Sequence, residues 1–417
     1  MADKGRVFGF SGAMVVLAAC VGNDPVQSSG PAAAPSSDVP DGGGGPSSTD
    51  AAAIPDASPT CGAGLTACAG MCVALDSNAD HCDRCGHDCG GGTCMDRVCA
   101  PVQLIADFKG SANLAAADGT YFLTENTQVR ACTNVGCTKP TVIAGFTQYP
   151  LNAGLAAGGG RVIFAASPDN ALSQYQGLFS CKQTGCLALP GDVLVSQGKY
   201  IAIEGVEMGG AAHDRVVYGV NNNGKKSIGT ATCSATSCTT PVVISDVTPA
   251  IATELMAVDD ANVYFTQVNA GATNLVMCPL AGCPGNVPVV IANLNVGAGT
   301  TIAAIRASGG LVYVAVLASN PKVLSCQPKP NGGCGTLATG IASFSAFDLD
   351  ASGFYYGSEV QGSLESCKLG GCGGGPTKLR PAATPGATYA ALRVSDRYIY
   401  WIQDVMGTKS VWRLAKP

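Results

Sequence analysis

Residues 397–401 read RYIYW, and six similar stretches come before them in the chain. These are TYFLT at 120–124, RVIFA at 161–165, RVVYG at 215–219, NVYFT at 262–266, LVYVA at 311–315 and GFYYG at 353–357. Each is rich in β-branched and aromatic residues, which is typical of a short β-strand. Seven copies of one strand type indicate a repeat architecture.

The sequence around each copy follows one pattern. A short apolar segment precedes the aromatic strand, a strand such as KVLSC at 322–326 follows it, and an apolar segment such as PVVIA at 288–292 closes the unit. Four short β-segments per unit, with no helical periodicity, predict a four-stranded propeller blade. The last unit, residues 391–417, supplies only three strands, and VQLIA at 102–106 resembles the missing fourth. We therefore predict an all-β fold, with a seven-bladed β-propeller over residues 101–417 closed by an N-terminal strand.

Cysteine pairs mark six of the seven units, and the first cysteines of successive pairs are 49, 52, 45, 48 and 41 residues apart. We predict that each pair forms a disulfide between the third strand of a blade and the loop that enters the fourth. The predicted pairs are Cys132 with Cys137, Cys181 with Cys186, Cys233 with Cys238, Cys278 with Cys283, Cys326 with Cys334, and Cys367 with Cys372.

A separate cysteine-rich module is predicted over residues 61–100. Its apolar residues are too few to form a core, so cross-links must hold it. Four disulfides are expected, with connectivity left open among 105 possibilities. A zinc site is the alternative, because Cys82 and Cys85 lie beside His81 and His87, but the even number of cysteines in an exported chain favours disulfides. The eight cysteines are Cys61, Cys68, Cys72, Cys82, Cys85, Cys89, Cys94 and Cys99.

The N-terminus has the order of an export signal. Lys4 and Arg6 precede an apolar stretch over residues 7–19, which is too short to span a membrane. Residues 17–20 read LAAC and resemble the lipobox of bacterial lipoproteins, which implies a signal peptide over residues 1–20 and lipidation of Cys20. The alternative is a simple secretory signal. Because Val21, and not an aspartate, follows the cysteine, the resemblance implies the outer membrane of a Gram-negative-type cell envelope.

Residues 21–60 are rich in Pro, Gly, Ser and Asp and contain no aromatic residue, so we expect a disordered linker. The chain has a formal net charge of −5 and no basic stripe, which argues against nucleic acid as a partner. The 21 cysteines indicate an oxidising compartment. The lipid anchor is the expected membrane contact.

Two further resemblances add detail. Residues 61–73 have the pattern C-x-x-G-L-T-x-C-x-G-x-C-V, which resembles the Stig1-like module and implies an extracellular accessory module without catalytic residues. Residues 396–401 and 259–265 resemble YWTD-type propeller repeats. The chain departs from that family, since only Tyr400 and Trp401 keep the aromatic pair and the family closes six blades. The resemblance thus implies the fold and no particular ligand.

No motif for catalysis, a metal or a cofactor stands out. The recurring turn aspartates, Asp118, Asp259, Asp260, Asp350 and Asp396, are interpreted as turn formers rather than calcium ligands. His213 beside Asp214 falls far short of a catalytic triad. With so few charged residues in the propeller, we expect no cofactor and no catalytic residues.

Three hypotheses remain for the function of the propeller. We expect a binding module for an extracellular glycan or protein. A polysaccharide-active or quinone-dependent propeller enzyme, and a structural envelope protein, are the alternatives. A polar pocket on the channel axis would favour ligand binding, whereas a flat closed face would favour a protein partner.

Overall fold

The computed structural model describes residues 59–417 except 112, 118, 133–136, 138, 146–153, 167–176, 187–191, 197–200, 223, 247–250, 270, 295–299, 342 and 381–386. Cys20, the rest of the predicted signal peptide and nearly all of the predicted linker lie outside the described residues. Among those residues, no helix is both long and apolar enough to cross a membrane.

The cysteine-rich module contains two short antiparallel hairpins. Their strands are β1 (Thr66–Cys68), β2 (Met71–Val73), β3 (Cys94–Met95) and β4 (Val98–Cys99). Four disulfides join Cys61 to Cys72, Cys68 to Cys85, Cys82 to Cys94, and Cys89 to Cys99. These bonds occupy Cys82 and Cys85, the two cysteines of the zinc alternative.

Seven four-stranded antiparallel sheets follow in the described part of the chain, which confirms the predicted seven-bladed β-propeller. The first strand after the module is β5 (Val102–Phe108). Blade 1 contains β6 (Leu114–Ala117), β7 (Thr120–Glu125), β8 (Gln128–Cys132) and β9 (Thr141–Gly145). Blade 2 contains β10 (Leu155–Gly158), β11 (Arg161–Ala166), β12 (Gly177–Lys182) and β13 (Asp192–Ser196). Blade 3 contains β14 (Ile201–Gly209), β15 (Arg215–Asn222), β16 (Lys225–Thr232) and β17 (Val242–Asp246).

The remaining blades repeat this order. Blade 4 contains β18 (Ile251–Val258), β19 (Asn262–Asn269), β20 (Ala272–Pro279) and β21 (Val289–Asn293), with a short 3-10 helix at Pro284–Asn286. Blade 5 contains β22 (Thr301–Ser308), β23 (Leu311–Leu317), β24 (Lys322–Cys326) and β25 (Cys334–Thr339). Blade 6 contains β26 (Phe344–Leu349), β27 (Gly353–Ser358), β28 (Leu364–Lys368) and β29 (Thr377–Arg380). Blade 7 contains β30 (Ala387–Val394), β31 (Tyr398–Val405) and β32 (Thr408–Ala415), with β5 as its fourth strand.

Strand β5 closes the ring by pairing with the last strand of the chain. Ile105 lies opposite Val411, and Gln103 lies opposite Trp412. Leu104 and Phe108 are 2% and 4% exposed and join the same buried cluster as Trp401. The closing strand covers an edge of β32 that would otherwise present unpaired backbone groups to solvent.

The module packs against this closing blade. The Arg413 guanidinium donates to the Gly90 carbonyl and lies 4.7 Å from the centre of the Tyr398 ring. His87 Nε2 lies 2.7 Å from the Lys416 carbonyl oxygen. Gly90 has a φ of 63°, and a Cβ there would lie 2.5 Å from the Tyr398 ring, so both conformation and space require glycine. Module and propeller therefore share one buried cluster.

The cysteines of six blades are bonded within their own blade. The bonds join Cys132 to Cys137, Cys181 to Cys186, Cys233 to Cys238, Cys278 to Cys283, Cys326 to Cys334, and Cys367 to Cys372. In each pair the first cysteine lies at or beside the end of the third strand.

Loss of one blade disulfide should weaken the propeller without unfolding it. In the double variant Cys326→Ala/Cys334→Ala we expect a melting temperature lower by a few degrees, because a bond that closes so short a loop contributes about 2 kcal/mol. Thermal unfolding followed by circular dichroism measures this. A variant with no folded β-signal at 25 °C would contradict a purely local role for the bond.

Candidate functional site

A cavity of about 350 Å³ lies on the propeller axis. All seven innermost strands, β6, β10, β14, β18, β22, β26 and β30, or the residues just before them, contribute to its wall. Much of the wall consists of glycine, alanine and serine, including Gly154, Gly205, Ala303, Ser345 and Ala390. Small side chains leave space where seven strands converge, and the volume falls in the range of small-molecule sites.

β-Bulges shape this wall. The register of the innermost strand shifts in blades 3 to 7. The shift leaves residues 253–255 over in blade 4 and one extra residue in each of the other four blades, namely Glu204, Ala303, Ser345 and Ala390. These four residues belong to the cavity wall. Bulges re-aim side chains and are common beside functional sites.

Four charged residues share one register position on the innermost strands. In every blade this position pairs with the third residue of the second strand, for example Val217 in β15, Tyr313 in β23 and Tyr400 in β31. From blade 1 to blade 7 it is occupied by Ala115, Ala156, Glu207, Ala257, Arg306, Asp348 and Arg393. We call Glu207, Arg306, Asp348 and Arg393 the channel cluster.

Arg306 is the centre of the channel cluster. Its Nε donates to Asp348 Oδ1 at 2.7 Å, and its Nη1 lies 3.2 Å from Glu207 Oε1. Burial on its own would lower the pKa of Arg306, but the adjacent Glu207 and Asp348 carboxylates outweigh it and raise that pKa above its ordinary value. Ala257, at the same position in blade 4, has only a methyl side chain, which leaves room for the contact between blade 3 and blade 5.

Arg393 lies at the opposite side of the cluster. Its Nη2 is 3.5 Å from Glu207 Oε2, and its Nη1 donates to the Leu392 carbonyl at 3.1 Å. Its side chain is 26% exposed, compared with 17% for Arg306 and 10% for Asp348. The cluster joins blades 3, 5, 6 and 7 beside the cavity.

A second ion pair belongs to the bulge of blade 3. Glu204 Oε2 lies 2.9 Å from Lys226 Nζ, and Glu204 Oε1 accepts from Asn221 Nδ2 at 2.7 Å. This carboxylate in the cavity wall is therefore neutralised from within its own blade.

Of the turn aspartates, Asp259, Asp260 and Asp350 accept hydrogen bonds within their turns or across blades, and Asp350 also pairs with Lys416. Asp259 Oδ1 accepts the backbone N–H groups of Ala261 and Asn262 at 2.8 and 2.7 Å. Asp260 Oδ1 accepts from the Ala211 N–H of the preceding blade at 2.9 Å, and Asp350 Oδ1 accepts from Ser352 at 2.8 Å. The contacts of Asp259 and Asp350 with backbone N–H groups agree with the turn interpretation, whereas Asp260 links two blades, and Asp118 lies outside the described residues.

The channel cluster is the part of the site that sequence reasoning missed. The scarcity of charged residues suggested that little was available for a charged site, yet four of them occupy one register position. One feature of the sequence points to the cluster. The apolar segment before the aromatic strand carries a single charged residue close to its end, as in AIRA at 304–307 and ALRV at 391–394. Neither His213 nor any of the paired cysteines belongs to the cavity wall.

Comparison with known proteins supports the fold and no more. The sequence matches no protein-family model and no curated protein. An oligogalacturonate lyase solved with manganese is similar at 10% identity and a TM-score of 0.50, over 76% of this chain and 91% of that chain. BamB from Moraxella catarrhalis is similar at 12% identity and a TM-score of 0.39, over 73% and 82%. A prolyl endopeptidase is similar at 14% identity and a TM-score of 0.46, over 75% of this chain but only half of its own length.

Proposed function

We propose that this chain is a ligand-binding propeller, and that the ligand enters the cavity on the propeller axis. The observation that carries the proposal is that cavity itself, about 350 Å³ in volume, with three members of the channel cluster, Glu207, Arg306 and Arg393, at its wall. Sites for small molecules are concave and place a few polar groups against a less polar wall. A polar cavity on the axis favours a small ligand, such as part of a glycan, over a flat protein partner.

The wall suggests how such a ligand would be accommodated. Exposed Ser345 and Ala390 project little into the cavity, so a ligand need not displace large side chains. The ion pairs of the channel cluster hold the charged groups in place before a ligand arrives. Preorganisation of this kind reduces the entropic cost of binding.

A screen with a cavity-filling variant tests the proposal. Mature protein would be screened against soluble glycans and small metabolites by thermal shift, and hits would be quantified by calorimetry. Ala390→Trp should abolish binding of the hits, because the indole fills the cavity. Met406→Trp is the matched control, since Met406 is 90% exposed in the turn between β31 and β32 and does not line the cavity. Hits that bind both variants equally would contradict a site in the channel.

The same proposal includes anchoring to the cell envelope through Cys20. The lipobox-like residues 17–20 support it, and the ten disulfides among the described residues suit an oxidising compartment. The membrane contact would be made by the lipid alone, and residues 21–60 would be the linker between the lipid and the folded part.

Lipidation can be tested directly by palmitate labelling. Expressed with its signal in a Gram-negative host, the wild type should incorporate labelled palmitate and fractionate with the outer membrane. Cys20→Ala should lose the label, because no thiol is left to accept the lipid. Label that persists in this variant, or a wild type without label, would refute the anchor and leave a secreted protein.

A further inference from the structure

The geometry points to a carboxylate-bearing compound as the class of ligand that the cavity binds, with Arg393 as the residue that contacts the carboxylate. This inference rests on the proposed function and names the chemistry of the same site. The inference depends on which hydrogen-bond donors and acceptors of the channel cluster already have partners within the protein.

The two acidic side chains of the cluster are both committed. Glu207 places one carboxylate oxygen against Arg306 and the other against Arg393. Asp348 accepts from Arg306 through Oδ1 and from the Val394 N–H through Oδ2, at 2.7 and 2.9 Å. A cationic ligand would have to compete with a buried guanidinium for either carboxylate.

Arg306 is also engaged. Its Nε and Nη1 atoms contact Asp348, Glu207 and the Ile305 carbonyl, and two carboxylates flank it. Only 17% of its side chain is exposed. A ligand anion that approached this guanidinium would meet both carboxylates at close range.

Arg393 makes fewer contacts than Arg306 and is more exposed. A guanidinium carries five N–H donors, and the contacts of Arg393 with described residues are the Leu392 carbonyl and the 3.5 Å approach to Glu207. It is the most exposed member of the cluster. Its remaining donors can therefore face the cavity, where Ala390 and Ala391 beside it leave space.

A carboxylate matches these donors better than a neutral group does. Guanidinium and carboxylate are both planar and form two parallel hydrogen bonds, which are stronger than bonds between neutral groups. A bound carboxylate would replace the long contact between Arg393 and Glu207, and Glu207 would keep its closer partner Arg306. The other acid in the wall, Glu204, is already paired with Lys226 and adds little repulsion.

Matched acid and neutral probes test the inference on the mature protein. Glucuronate is compared with glucose, and a tripeptide with a free carboxyl terminus with its amide, by calorimetry at low salt. We expect at least one acid to bind ten-fold or more tightly than its neutral partner. The pair that shows the difference identifies a sugar acid or a peptide terminus as the source of the carboxylate.

Substitutions at Arg393 complete the test. Arg393→Gln should reduce affinity for the acid ten-fold or more without changing affinity for the neutral partner, and Arg393→Lys should keep part of the preference. Arg397→Gln is the matched control, because Arg397 is exposed in the adjacent turn of the same blade and does not line the cavity. Melting curves confirm that each variant is folded.

The outcomes separate this inference from the proposal it rests on. Probes or screen hits that bind in the cavity, as judged by Ala390→Trp, with no preference for the acid would overturn the carboxylate inference and leave ligand binding intact. An acid preference unchanged in Arg393→Gln would overturn the role of Arg393. Absence of any ligand sensitive to Ala390→Trp would overturn both.

Discussion

Leu104→Asp should abolish cooperative folding of the propeller. Leu104 is 2% exposed in the closing strand, within the cluster that contains Trp401 and the module cysteines. Loss of the leucine and burial of a carboxylate without a partner together cost more than about 5 kcal/mol. That is comparable to the whole stability of many domains, which is about 5–15 kcal/mol.

Loss of the closing strand would also expose the edge of β32, so we expect aggregation as well as unfolding. Urea denaturation and size-exclusion chromatography measure the two effects. Val142→Asp is the control, because Val142 is 45% exposed in β9, the corresponding outer strand of blade 1. Its stability should change by less than about 1 kcal/mol. A Leu104→Asp protein that unfolds like the wild type would show that β5 does not close the ring.

Arg306→Ala should be the most destabilising substitution in the channel. It removes the shared partner of Glu207 and Asp348, whose side chains are 17% and 10% exposed. Removal of one member of a buried ion pair costs about 3–5 kcal/mol. Here both carboxylates would lose their shared cation and keep only the 3.5 Å approach of Arg393 and the Val394 N–H. The expected result is a large fall in the urea midpoint with an unchanged slope.

A surface pair provides the comparison for this prediction. Arg84 lies 3.9 Å from Asp83, and the two side chains are 55% and 48% exposed. Arg84→Ala should therefore cost about 1 kcal/mol or less. Equal effects of the two substitutions would show that the channel cluster is solvated like a surface pair and does not hold the blades together.

The blades could be predicted because their signals are local. The aromatic strands repeat with one residue pattern, and each blade disulfide joins cysteines only five or eight residues apart. The closing strand is recognisable from the sequence because the last unit lacks a fourth segment and VQLIA at 102–106 resembles one. The structure extends it from 106 to Phe108, whose ring is buried in the same cluster.

The candidate site could not be predicted in the same way. Arg306 and Asp348 are 42 residues apart, and they meet only because the ring brings equivalent positions of neighbouring blades together. The contact of Glu207 with Arg306 further depends on the small Ala257 in the blade between them. Likewise, the Arg413 contact with Gly90 joins residues 323 positions apart, so the docking of the module follows from closure of the fold.

A crystal structure of the mature protein with the acid that binds most tightly in the matched comparison tests the central claim most directly. We predict ligand density on the propeller axis, between β22, β26 and β30, with the carboxylate within hydrogen-bonding distance of the Arg393 guanidinium. Density on the outer surface, with the axial cavity occupied only by solvent, would contradict the account.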